Sequence, residues 1–148
     1  MTKFKFRLEA ALRFRHMRVD AESAKLQQLL GQQKRLENSL AGLQSERTSA
    51  AAFVHSVANP AAQDLRALSL FTIGLEARSR TVKEALAEMT ELVEEQKKRL
   101  LEAERDARSL SKLRAKRFEE WRLHAEREIE ATAQELWLFS HTKSKEDL

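Results

Sequence analysis

Apolar residues recur along the first third of the chain at an alternating spacing of four and three residues. The positions that follow this spacing are Leu8, Leu12, Val19, Leu26, Leu29, Leu36, Leu40 and Leu43, with Arg15, Glu22 and Gln33 interrupting the series. A stripe that repeats about every 3.5 residues is too narrow to cover a globular core, so it is buried only against another helix wound around it. The pattern therefore predicts a coiled coil.

A second series with the same spacing occurs later in the chain. Its members are Val82, Leu86, Met89, Val93, Gln96, Leu100, Ala103, Ala107 and Leu110. Between the two series, residues 48–75 contain only two charged residues and the single proline, Pro60. Proline lacks a backbone donor and favours extended geometry at the preceding residue, here Asn59. The chain is expected to reverse near residues 60 to 65, which predicts an all-α fold, a long antiparallel two-helix coiled-coil hairpin.

The expected boundaries follow from these patterns. They give one coiled-coil domain over residues 1–148, with helix 1 at about 4–54, a turn at about 55–64, helix 2 at about 65–138 and a polar tail at 140–148. Thr2 is the expected N-cap of the first helix. The polar residues Gln33 and Gln96 are predicted to share one layer of the coiled coil, which would place Leu40 near Met89 and Leu26 near Ala103.

The phase of the apolar pattern slips after Leu110. A new line is formed by Leu113, Phe118, Trp121, Ala125, Ile129, Ala133 and Leu136. A stutter of this kind locally unwinds a supercoil. Helix 1 is expected to be long enough to pair with helix 2 only up to about residues 115 to 125. The later residues of this apolar line are therefore expected to lack an intramolecular partner. A dense apolar cluster, Leu136–Phe139, precedes the polar end.

Charge is unevenly distributed in this chain of 148 residues, whose formal net charge is only +4. Basic residues dominate the first 18 positions and again residues 97–127. In a hairpin these two stretches meet at one end. The N-terminal segment lacks the continuous apolar core of a signal peptide, and the longest charge-free run is too polar to span a bilayer. A soluble protein that does not insert directly into a membrane is therefore expected.

Neither catalysis nor cofactor binding is indicated. The four histidines show no spacing typical of metal ligands, there is no cysteine, and adjacent carboxylates such as Glu94 and Glu95 are typical of a solvated helix face. We expect no enzyme activity, no metal and no cofactor. A basic zipper that binds DNA has its basic helix before a parallel dimeric coil, a layout that this chain does not share. Nucleic acid is therefore not an expected partner, and a basic coiled coil that binds nucleic acid is the less favoured alternative. A structural coiled-coil dimer is a further alternative to a free monomer.

The run Phe4-Lys5-Phe6-Arg7-Leu8-Glu9-Ala10-Ala11-Leu12-Arg13 at the start of a basic coiled coil of this length resembles the FliJ family of flagellar type III export proteins. Related injectisome stalk proteins share the architecture and are the near alternative. The Leu136–Phe139 cluster departs from the charged tail typical of the family.

The resemblance implies a coiled-coil stalk that enters the pore of a hexameric export ATPase, stimulates it, and engages the cytoplasmic domain of the export gate and substrate chaperones. It also implies a location in the cytoplasm, peripheral to the inner membrane at the flagellar base. The family's gate-binding Phe and Leu, four residues apart, resemble Phe71 and Leu75, which are expected to be exposed beside the turn. The alternative is that both residues simply pack the hairpin turn.

The ATPase is expected to contact the end that carries both basic stretches, with helix 2 contributing from about Lys112 to Leu136. The candidate contact residues are Lys3, Lys5, Arg7, Arg13, Lys112, Arg114, Lys116, Arg117, Phe118 and Trp121.

Overall fold

The computed structural model describes residues 2–146, and the side chains of residues 2–143. Two long helices account for nearly all of them: α1 spans Glu9–Ser56 and α2 spans Ala62–Glu146. No strand occurs in this part of the chain. The fold is the predicted all-α antiparallel two-helix coiled-coil hairpin.

Contacts within the chain define two compact units. The first contains the chain up to Val19 and from Ala103 onwards, and the second is Asp20–Glu102. In the first unit, Arg15 donates a hydrogen bond to the carbonyl of Asp106 at 3.0 Å and Glu9 forms an ion pair with Arg114. Glu9, the earlier residue of α1, contacts the later residue of α2, Arg114, whereas Arg15 contacts Asp106. The two helices therefore run antiparallel in this unit.

The second unit has the same antiparallel arrangement. Gln33 donates to the hydroxyl of Thr90 at 3.3 Å, and Arg47 pairs with Glu76 at 3.4 Å. The seam is buried at Leu26, Leu75 and Val93, which are between 2% and 9% exposed. Burying a leucine or valine side chain fully contributes about 1.5–3 kcal/mol, so the seam is the main source of stability of the helix pair.

The register differs from the predicted one. Gln96 contacts Glu22 of α1, while Gln33 contacts Thr90, so Gln33 and Gln96 do not share a layer. The predicted placement of Leu40 near Met89 and of Leu26 near Ala103 assumed that shared layer, and it is therefore wrong as well. The turn lies between Ser56 and Ala62, within the predicted 55–64. A layer shared by Gln33 and Gln96 would instead require a turn centred between residues 64 and 65, so these two polar residues were the wrong guide to the register. Any displacement of a hairpin turn shifts the pairing by twice as many residues.

The turn is built around Asn59 and Pro60. Asn59 has a φ of 60°, in the left-handed region, rather than the extended geometry predicted for a residue before proline. Asparagine tolerates this region better than most residues, and one residue there reverses the chain tightly. The start of α2 is capped by the carboxylate of Asp64, which accepts a hydrogen bond from the backbone N–H of Ala61 at 3.1 Å.

The N-terminal segment, residues 2–8, is not helical, so the predicted helix start at Phe4 and the N-cap at Thr2 are wrong. Its side chains alternate: Phe4 and Phe6 are half-buried, while Lys3, Lys5 and Arg7 are exposed. Alternation with period two is typical of an extended segment lying on an apolar surface. At the other end, α2 continues to Glu146 through the region predicted as a polar tail.

Among the described residues, neither helix contains a stretch that is long and apolar enough to cross a membrane.

Candidate functional site

The N-terminal segment packs its first aromatic residue against α2. The ring of Phe4 meets the ring of Phe118 edge to face, with centroids 5.2 Å apart, and lies 5.8 Å from the ring of Trp121. The indole N–H of Trp121 donates a hydrogen bond to the carbonyl of Thr2 at 3.2 Å. Edge-to-face aromatic pairs contribute about 0.5–1.5 kcal/mol beyond their buried area. We call Phe4, Phe118 and Trp121 the aromatic cluster.

The aromatic cluster adds a contact that the apolar pattern does not predict. The phase slip after Leu110 leaves Phe118 and Trp121 without assured cover from α1. The extended segment before α1 covers them instead, although Phe118 remains 40% exposed. The signal in the sequence was the alternation of Phe4 and Phe6 with basic residues, which points to a strand-like segment.

Arg114 joins the aromatic cluster to the start of α1. Its Nε donates to the carboxylate of Glu9 at 2.9 Å, and its guanidinium carbon lies 5.7 Å from the centre of the Phe4 ring. The ion pair is about half exposed, where such pairs contribute at most about 1 kcal/mol. Arg114 therefore makes two contacts at this end, an ion pair with Glu9 and a cation–π contact with the Phe4 ring that holds the N-terminal segment on α2.

Basic side chains lie next to the aromatic cluster. Lys5, Arg7 and Arg117 line one open groove together with Trp121 and Leu113. Arg117 also pairs with Glu120 at 3.0 Å within α2. The structure thus brings together most of the residues that the sequence singled out at this end.

The other predicted residues of this end lie on its surface. Lys3, Arg13, Lys112 and Lys116 are all exposed. Within residues 2–19 and 103–117, twelve Lys and Arg side chains stand against three acidic ones, which we call the basic zone. Two of these acids, Glu9 and Asp106, already pair with arginines of the basic zone. Most of its positive charge therefore faces solvent.

The predicted gate residues have different surroundings. Phe71 is 45% exposed and borders an apolar groove next to the turn that is lined by Phe53, Val57 and Leu68. Leu75 is only 2% exposed, so the expectation that it is exposed is wrong. It occupies the apolar seam of α2, four residues after Phe71, where the side chain packs against α1. Only Phe71 of this pair presents its side chain at the surface.

Arg122 lies between two acidic residues of α2. Its hydrogen bond to Glu119, with the nearby charges of Glu119 and Glu126, raises the pKa of Arg122. Within residues 2–146, no three His, Asp or Glu side chains converge as ligands for a metal ion. The arrangement of charge and apolar surface suits binding of protein partners.

Comparison with known proteins gives one match. The family model described as "Flagellar FliJ protein" matches residues 4–136. Neither the curated proteins nor the solved structures provided a match. The match covers most of the chain, including residues 4–8 of the N-terminal segment and the aromatic cluster. The chain therefore belongs to the flagellar FliJ family and is a component of the flagellar type III export apparatus.

Proposed function

We propose that this chain is the coiled-coil stalk of the flagellar export machinery. It inserts into the hexameric export ATPase, stimulates it, and couples it to the export gate and substrate chaperones. The observation that carries the proposal is the basic zone with the half-exposed aromatic cluster at its edge. An interface of this composition suits a protein pore with acidic loops, because cations steer association and aromatic side chains anchor the bound state.

The proposed ATPase contact uses the residues named from the sequence. They are Lys3, Lys5, Arg7, Arg13, Lys112, Arg114, Lys116, Arg117, Phe118 and Trp121. In the structure Arg114 already binds Glu9, and Phe118 and Trp121 already pack on Phe4. These three residues therefore shape the surface, while the exposed lysines and arginines supply its charge.

Charge reversal tests this contact. The triple variant Arg7→Glu, Arg13→Glu and Arg117→Glu should slow association with the export ATPase, reduce stimulation of ATP hydrolysis and weaken the salt dependence of binding. A matched control is Arg35→Glu, Arg78→Glu and Arg80→Glu, which changes three exposed arginines of the second unit. Circular dichroism checks that both variants keep their helicity. Full stimulation by the first variant at low ionic strength would contradict the proposal.

The proposed gate contact is centred on Phe71 and the apolar groove beside the turn. Phe71 supplies exposed aromatic area, and the surrounding residues 48–75 carry only two charges. Leu75 belongs to the proposed gate site through its packing, which fixes the helix turn that carries Phe71. The Phe71→Ala variant should bind the gate's cytoplasmic domain more weakly, with ATPase binding unchanged. Phe14→Ala removes an exposed phenylalanine of the first unit and is the control.

The proposed stalk is a non-enzymatic monomer when free and acts in the cytoplasm, at the membrane face of the flagellar base, where substrate chaperones also bind it. Sedimentation equilibrium tests the oligomeric state, because a monomer has a mass of 17.1 kDa. A mass twice as large at micromolar concentration would favour the structural dimer instead.

A further inference from the structure

The part of α2 that follows the basic zone has the opposite charge. Residues 118–135 contain six glutamates and only two arginines, and we call this segment the acidic zone. It also continues the apolar seam of α2. Ala125 is 8% exposed, whereas Ile129 is 53% and Leu136 is 67% exposed. The apolar seam therefore continues past Ala125, its last buried residue, to side chains that are exposed to solvent.

The glutamates of the acidic zone flank this seam on both sides. At 100° per residue, Ile129 and Leu136 lie within about 20° of each other around the helix axis. Glu126 lies on one side of this line, and Glu128 and Glu135 lie on the other. In coiled-coil terms these three residues occupy the positions that border the seam, where charges select the partner helix.

Contacts within the chain do not neutralise the negative charge of these three glutamates. Glu126 binds Arg122 at 3.2 Å, but Arg122 is also shared with Glu119. Glu128 lies 3.3 Å from His124, which carries a charge only when it is protonated. Glu135 has an exposed side chain beside Leu136. A helix that docks on this seam therefore meets carboxylates along both edges.

We propose that the seam of residues 125–139 is a docking surface for an amphipathic helix of another protein, with lysine or arginine at the positions that border its apolar stripe. Exposed apolar side chains in the continuation of a coiled-coil seam favour a helical partner, and the flanking carboxylates favour a basic one. A second copy of the same segment would place carboxylates opposite carboxylates, which disfavours self-pairing. This surface follows the ten residues proposed for the ATPase contact and lies apart from the groove beside Phe71. It assigns residues 125–136, the last part of the stretch from Lys112 to Leu136 expected to contact the ATPase, to a different partner.

Two synthetic peptides test the proposal with the full chain. Each has three heptads with isoleucine and leucine in the seam, and the bordering positions are all lysine in one peptide and all glutamate in the other. Like charges keep each peptide from pairing with itself. Fluorescence anisotropy should show that the lysine peptide binds at least about tenfold more tightly than the glutamate peptide. Equal affinities would overturn the proposal.

Charge exchange in the protein locates the surface. The variant Glu126→Lys, Glu128→Lys and Glu135→Lys should reverse the preference and bind the glutamate peptide more tightly. The matched control, Glu84→Lys, Glu88→Lys and Glu91→Lys, makes the same change in net charge with exposed glutamates of the second unit. It should retain the original preference. If both variants reverse the preference, binding follows net charge alone and the proposal is wrong.

Changes in the seam test its apolar part. Ile129→Asp and Leu136→Asp should each weaken binding of the lysine peptide at least about tenfold, as expected for anchors of an interface. Leu92→Asp and Leu101→Asp alter leucines of the second unit that are 52% and 56% exposed, and they should have no effect. Concentration-dependent dimerisation that Ile129→Asp abolishes would identify a second copy as the occupant and overturn the proposal, as would loss of peptide binding in the control variants.

Discussion

The side-chain amide of Gln96 donates hydrogen bonds to both the backbone carbonyl and the carboxylate of Glu22. Gln96 is 6% exposed, and the side chain of Glu22 is 12% exposed. A buried polar pair in a mostly apolar seam lowers stability but favours the one register in which its hydrogen bonds are satisfied. Gln96 and Glu22 therefore fix how α1 and α2 align in the second unit.

Replacing only one member of this pair should destabilise the protein. Gln96→Leu removes the donor and leaves the mostly buried carboxylate of Glu22 with only Lys25 as a partner, at 3.8 Å. This should cost about 1–3 kcal/mol in the free energy of unfolding. The double variant Glu22→Leu and Gln96→Leu should recover most of that loss, because both polar groups are gone. Urea unfolding measures both values. A Gln96→Leu variant as stable as the original protein would contradict this view of the pair.

Removing the ring of Phe4 should expose Trp121. Phe4→Ala takes away the residue that covers Phe118 and Trp121, at a cost of about 1 kcal/mol. In a Trp137→Phe background, Trp121 is the only tryptophan, and acrylamide should quench its fluorescence more strongly in the Phe4→Ala variant. Phe14→Ala, which changes a phenylalanine that is 68% exposed, should leave the quenching unchanged. Equal quenching in all three proteins would show that the N-terminal segment does not stay on α2 in solution.

Phe71 and Leu75 should differ sharply in their effect on stability. Leu75→Ala removes a side chain that is 2% exposed and should lower the free energy of unfolding by about 2–3 kcal/mol. Phe71→Ala removes a half-exposed ring and should cost less than about 1 kcal/mol. Thermal and urea unfolding of the two variants test this difference. Similar losses would mean that Phe71 is part of the packed seam.

Alanine in place of Gly42 should stabilise α1. Gly42 lies inside the helix, and a Cβ atom added there meets no other atom within 4 Å. Alanine restricts the unfolded chain more than glycine does, so Gly42→Ala should raise the free energy of unfolding by about 0.5–1 kcal/mol. Gly31→Ala, at a site with equally open surroundings, should act in the same direction. A loss of stability in either variant would indicate that the helix bends at that glycine.

The sequence alone determined the fold class and the family. Spacing of four and three residues around Leu12, Leu26 and Val93 required helix against helix, because the stripe is too narrow for any other burial. Pro60 marked the reversal, because it cannot donate a helical hydrogen bond. The run from Phe4 to Arg13 was specific enough to indicate the FliJ family, which the match over residues 4–136 confirms.

The tertiary structure decided the register and the state of the N-terminal segment. Register depends on which residues of the two helices face each other across the seam, and Gln96 meets Glu22 and not Gln33. The left-handed conformation of Asn59 in the turn also differs from the extended geometry that local rules for a residue before proline predict. Phe4 packs against Phe118 and Trp121, which are more than a hundred residues away in sequence. No local pattern could predict this contact. The closeness of Leu75 to the turn predicts exposure, but the side chain is buried because α1 lies across the seam from it. Spacing within one segment fixes which residues share a face, whereas contact between distant segments fixes which of those faces are covered.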